Sequence, residues 1–252
     1  MKRILVFLIL GVLLLLTGSI FYASESASVD FTDPMVYVIC AGILCVVIGA
    51  ALFLERGHKK KTDAHGDMRR LAIASLMTAL CYIGFQLFRI DIPIGPDGKT
   101  AVHLGNAFVV LGALFLGSGL SGLSGAIGLT LADLTSGYVT SMPKTFLIKF
   151  VIGALAGFLA DRVFKLSSPL TRRARIRRSA GAAGIALAAN VILDPLLGYL
   201  YKRYLFGIPQ DAAATLAKIG AFATLVNAGI SFLVVMLVYN AVYPVLEQNR
   251  LL

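Results

Sequence analysis

Seven side chains able to donate, accept or carry charge interrupt or border otherwise apolar stretches. They are His103, Asn106, Asp133, Tyr138, Lys149, Asp194 and Asn227. Ionisable groups inside apolar spans are expensive, and they face a cavity or a partner more often than lipid. The surrounding residues offer little catalytic equipment. The chain has no G-x-x-x-x-G-K-[ST] loop, no H-E-x-x-H and no G-x-S-x-G. Its three cysteines, Cys40, Cys45 and Cys81, sit in apolar runs, and His58 and His65 lie in a basic linker. No metal set, no disulfide framework and no cofactor is expected. The chemistry left to the seven residues is recognition of a polar solute by hydrogen bonds and charge, so an enzyme is not expected.

Each of the seven also fits a plainer role. Lys149 lies about 7–9 Å along a helix from Lys144 and suits either a snorkelling cation or a cavity-facing charge. Asp133 can cap a helix end or pair with Lys144 or Lys149. Asp194 precedes Pro195 and can simply mark a kink. His103 and Asn106 can cap the helix they open, and Tyr138 suits an interfacial aromatic belt. What favours a shared pocket is that Asp133, Lys149 and Asp194 fall at a similar depth.

The elements that must position these residues are membrane helices. Of the 252 residues, 58% are hydrophobic and 14% charged, and mean hydropathy is +0.85. That excludes a soluble globular domain and leaves little chain for an ATP-hydrolysing domain. Lipid demands helices, so the expectation is an all-α polytopic bundle. Residues 1–60 read as an amino-terminal two-helix hairpin, with apolar runs Ile4 to Tyr22 and Met35 to Leu54. The first run also fits a signal peptide. Residues 69–245 read as a six-helix core. Its apolar stretches are Leu71–Phe88, Leu104–Leu116, Leu120–Leu134, Thr145–Phe164, Ala180–Tyr199 and Ile219–Tyr243. Glycines 117, 119, 122, 125 and 128 predict two closely packed helices with a minimal turn. The segment from Arg89 to His103, with two prolines, reads as a long loop.

The net charge of +10 need not mean nucleic acid. Sixteen of the 23 basic residues fall in segments on one side of the bundle, from Lys2-Arg3 through Arg56–Arg70 and Arg162–Arg178 to Arg250. The positive-inside rule makes that side cytoplasmic, which gives a multi-pass protein of the cell membrane with both ends of the core on the cytoplasmic side. Small residues give a second signal. Ala72, Ser75 and Ala79 share one face of the first core helix, which suits docking to another membrane subunit. Gly153-x-x-x-Gly157 suits packing within the bundle.

From Arg69 to Tyr243 the chain resembles the substrate-binding S components of energy-coupling factor (ECF) vitamin transporters, of the riboflavin and hydroxymethylpyrimidine type. The stretches that carry this are Arg70 to Leu80, His103 to Gly117, Ala132 to Tyr138, and Phe146-Leu-Ile-Lys149 with its following helix. The resemblance implies a six-helix subunit that holds a vitamin-sized ligand near the outer face. It also implies docking onto a transmembrane coupling subunit served by two ATPase subunits. In that family an Ala-x-x-x-Ala motif docks; here the nearest match is Ser75-x-x-x-Ala79. The hairpin over 1–60 departs from the six-span pattern.

The expected function is capture of a small water-soluble vitamin or precursor for an ATP-driven importer. The alternatives are a stand-alone secondary permease, against which the lack of an inverted repeat argues, and a membrane scaffold without transport.

Overall fold

The computed structural model describes residues 64–94 and 99–248. The hairpin expected over residues 1–60 lies outside them. The six apolar stretches of the core each become a helix: α1 (Ala64–Gln86), α2 (Gly105–Leu116), α3 (Ser118–Thr135), α4 (Met142–Phe158), α5 (Arg172–Leu200) and α6 (Gln210–Gln248). A π-helical turn extends α4 over Leu159–Val163, and another extends α5 over Tyr201–Leu205.

The segments Met68–Gln86, Arg172–Leu205 and Gln210–Gln248 are long and apolar enough to cross a membrane. At 12 residues, α2 is only about 18 Å long. Large apolar side chains, among them Leu76, Ile192, Phe222 and Leu237, point out of the bundle, as a surface bathed in lipid requires.

Helix α2 is the inner helix, in contact with every other helix of the bundle. Val110 of α2, Ile148 and Ile152 of α4, Ala186 of α5 and Val235 and Tyr239 of α6 share the main core. A second cluster joins Cys81 and Phe85 of α1, Val109 of α2 and Leu129 of α3 to Tyr138. The expected minimal turn between α2 and α3 is the single residue Gly117, at φ 82° and ψ −168°, a conformation that suits glycine. On α4, a Cβ added to Gly153 would stand 2.8 Å from Gly122 Cα, so this glycine pair serves contact inside the bundle. Serine hydroxyls reinforce the packing: Ser124 of α3 donates to the Ala74 carbonyl of α1 at 3.0 Å.

Two segments differ from expectation. The loop after α1 contains a β-hairpin, β1 (Ile90–Pro93) against β2 (Lys99–Val102), with Ile90 opposite Val102 and Pro93 opposite Lys99. Pro93 costs little at the strand's end, where a ladder donor is dispensable. The arginines from 172 to 178, expected in a connecting segment, form the first turns of α5, capped by the Thr171 hydroxyl accepting from Ala174 N–H. Cations at a helix start oppose its dipole, and local contacts offset this. Arg175 stacks 3.7 Å over the Tyr243 ring and meets Glu247 at 3.4 Å, while Arg178 donates to the Phe164 carbonyl at 3.0 Å. The two ends of the bundle therefore differ. The arginine-rich end holds the α4–α5 connection and the α2–α3 turn. The opposite end holds the β-hairpin, the α3–α4 loop and the α5–α6 loop.

Candidate functional site

A cavity of about 1260 Å³ opens at the hairpin end, walled by the β-hairpin and by residues of all six helices. All seven expected residues line it. Helix geometry explains the convergence: the α2 start, the α3 end and the α4 start meet beside the hairpin, and α5 and α6 close the far side.

His103 follows β2 and is buried, its ring tilted against Phe85 at 4.5 Å. Its Nδ1 accepts from Gly105 N–H at 3.1 Å, which makes Nε2–H the available donor. Asn106, in the first turn of α2, is 4% exposed and lines the cavity wall. Asn227 of α6 is committed to backbone. Its Oδ1 accepts from His103 N–H at 2.8 Å and its Nδ2 donates to the Ala101 carbonyl at 2.9 Å, so it fastens α6 to β2.

Asp133 and Lys149 do not form an ion pair. Asp133, near the α3 end, lies beside Thr145, and its Oδ2 is buried with no hydrogen-bond partner among the described residues. Lys149, two turns into α4, donates to Asn190 Oδ1 of α5 at 3.1 Å. At 7% exposure it is not a cation reaching for headgroups. Asp194 is the paired acid. Lys144 Nζ stands 2.6 Å from its Oδ1, and the Thr224 hydroxyl donates to Oδ2 at 2.9 Å, joining α4, α5 and α6. The neighbouring Pro195 lies inside α5 and does not end it.

Tyr138 is buried rather than placed in an aromatic belt. Its hydroxyl donates to Asp91 Oδ1 at 2.7 Å. Lys99 sits 4.5 Å over its ring, donates to the Ser136 carbonyl at 2.9 Å and meets Asp91 at 3.3 Å. Arg89 closes the cluster at 2.9 Å from Asp91. Partial burial works against the Asp91 charge. Hydrogen bonds from Tyr138 and Lys99 and the charge of Arg89 outweigh it and hold this carboxyl below the usual range. Burial, and then the bond to Asp91, push the Tyr138 phenol well above its ordinary value. The cluster latches the β-hairpin onto the α3–α4 loop and shapes one wall of the cavity.

Sequence reasoning left Lys144, Thr145, Asn190 and Thr224 outside the site. Asn190 carried a signal, as a polar residue four positions before Asp194 on one helix face. Thr224 carried none, because a threonine in an apolar helix ordinarily bonds its own backbone, as Thr224 also does to Gly220.

The face of α1 bearing Ala72, Ser75 and Ala79 is exposed, flanked by exposed Met68, Leu71 and Leu76. Among the described residues no group of three metal-ligating side chains occurs.

Neither the curated proteins nor the solved structures give a match to the chain. A protein-family model does, over residues 66–244, the span that contains all six helices' apolar stretches, the β-hairpin and the cavity. This membrane protein, a substrate-binding component of a vitamin transporter, belongs to the family of ECF-type riboflavin transporter S components.

Proposed function

We propose that the cavity binds a riboflavin-like vitamin or precursor, and that an ATP-driven coupling module then carries the ligand inward. The observation behind this reading is the convergence of His103, Asn106, Asp133 and Lys149 on one cavity, with Asp133 Oδ2 buried and unpartnered there, within a family named for riboflavin transport. The ring-bearing walls, with Phe85, Tyr138, Tyr201 and Phe206, suit a flat heteroaromatic body, and the polar groups suit its edges. Asp133, Lys149, Asn106 and His103 are the proposed ligand contacts. Asp194, Tyr138 and Asn227 act by holding the walls. No step of this role requires a covalent reaction. A permease working alone needs no partner, whereas the exposed small-residue face of α1 suits one.

In this reading the hairpin end faces outward and the arginine-rich end faces the cytoplasm, in keeping with the basic asymmetry. Cysteines at Gln210 and Thr171, placed in a cysteine-free background, are expected to react with an impermeant thiol reagent in whole cells at 210 and not at 171. The reverse pattern would overturn the orientation.

The α1 face is the proposed docking surface for the coupling subunit. Leu at both Ser75 and Ala79 adds bulk where helix backbones would meet. Copurification of the coupling and ATPase subunits, and riboflavin uptake, are expected to be lost while the isolated protein still binds riboflavin. Intact complexes and uptake would assign docking to another face.

A further inference from the structure

Six buried side-chain atoms lack a hydrogen-bond partner among the described residues, and two of them belong to residues that act on Lys149, one by accepting its hydrogen bond through an amide oxygen and one by charge. One is Asp133 Oδ2; the other is Asn190 Nδ2. An ammonium group only donates, so Asn190 must turn its Oδ1 to Lys149, and that choice strands Nδ2. Leaving such a donor buried and unmade costs stability. Aspartate at position 190 would have nearly the same shape, would remove the stranded donor and would pair the lysine directly. The chain instead places a neutral amide, 1% exposed, against a buried cation. It also commits the nearby Asp194 to Lys144 and Thr224, and leaves Asp133 unpaired with Lys149.

We infer that Asn190 is a specificity-determining positioning residue: it fixes the Lys149 ammonium without bonding it directly to a carboxylate, so that Lys149 and Asp133 together read a neutral ligand edge carrying an acceptor beside an N–H donor. Asn190 itself does not line the cavity, so it acts through Lys149. The acceptor, a ring carbonyl, takes the second Lys149 proton. The ring N–H satisfies Asp133 Oδ2. An anionic edge would satisfy Lys149 but repel Asp133, and a cationic edge would do the opposite. A lactam or ureide edge, as in oxidised pyrimidine, pteridine and flavin rings, serves both. The inference rests on the vitamin-binding reading proposed above.

The test uses the purified full chain titrated with riboflavin and with 3-methylriboflavin, in which the ring N–H is replaced by a methyl. Wild type is expected to bind riboflavin at least tenfold more tightly than the methylated probe. Asn190→Asp is expected to weaken riboflavin at least tenfold and to reduce the discrimination toward unity, with an unchanged or raised melting temperature. Asn190→Ser keeps a neutral acceptor and is expected to retain the discrimination. Full discrimination in Asn190→Asp would overturn the inference. So would equal losses in the Asp and Ser variants, or an affinity loss that merely follows a lowered melting temperature. If wild type binds neither probe, the riboflavin-like reading itself fails and takes this inference with it.

Discussion

Lys149→Met is expected to weaken riboflavin binding by roughly tenfold to over a hundredfold. A buried hydrogen bond to a charged group contributes about 1.5–3 kcal/mol, and each 1.4 kcal/mol is a factor of about ten in affinity. Methionine keeps the length and removes the charge. The change also strips Asn190 Oδ1 of its donor, so some stability, on the order of 1 kcal/mol, goes with it. Affinity and melting must therefore be read side by side, by calorimetry and a thermal scan of the same detergent-solubilised sample. Asp133→Asn provides the companion: it keeps the shape, and its Oδ2 has no protein partner to lose. Unchanged affinity in both variants would remove the α3–α4 pair from the site. Because no ion pair joins Asp133 to Lys149, the double variant is not expected to restore what the single ones lose.

The largest stability effect is expected at Gly157→Leu. A Cβ there would run into the backbone of Gly117 and Ser118, and backbone cannot swing aside as a side chain can. Helix α4 would have to leave the α2–α3 turn. Overpacking of flexible cores costs about 1–3 kcal/mol, and a backbone obstacle sits at or beyond the top of that range. At about 2–4 °C per kcal/mol for a chain of this size, melting should fall by roughly 6–12 °C or the protein should fail to accumulate. Gly220→Ala is the contrast. Gly220 lies within α6 with nothing near its Cβ position, so alanine should be neutral or slightly stabilising. Equal melting of the Gly157→Leu variant and wild type would mean that α4 is not seated against the turn.

Apolar run length was enough to locate all six core helices, because a continuous hydrophobic stretch has few other uses in a chain this poor in charge. The boundaries failed where polar residues continue a helix. Arg172 to Arg178 reads as a loop by composition, yet it is helical because Tyr243, Glu247 and the Phe164 carbonyl receive its cations. The β-hairpin was hidden for a different reason. Four-residue strands beside prolines carry almost no periodic signal, and this pair is held by Asn227, well over a hundred residues away in sequence. The cavity lining was legible because polar residues in apolar stretches are conspicuous. The roles within the lining were not. Whether Tyr138 faces headgroups or Asp91, and whether Asp194 or Asp133 takes the lysine, depends on contacts between elements that no local pattern encodes. The hairpin expected over residues 1–60 lies outside the described residues.

Helices α2 and α6 differ in length by about 40 Å at 1.5 Å per residue, and they touch. A hydrocarbon layer of about 30 Å is too thick for one and too thin for the other. At the α2 end, Arg70 donates to the Leu116 carbonyl at 2.9 Å, which places a guanidinium at the depth where the short helix stops. Helix α2 is enclosed by the other helices, so its shortness is hidden from lipid, whereas α6 overshoots the layer and must tilt or carry its ends into the headgroups and water. Acyl-chain length in the host membrane then becomes a variable of the protein's own energetics, independent of anything bound in the cavity.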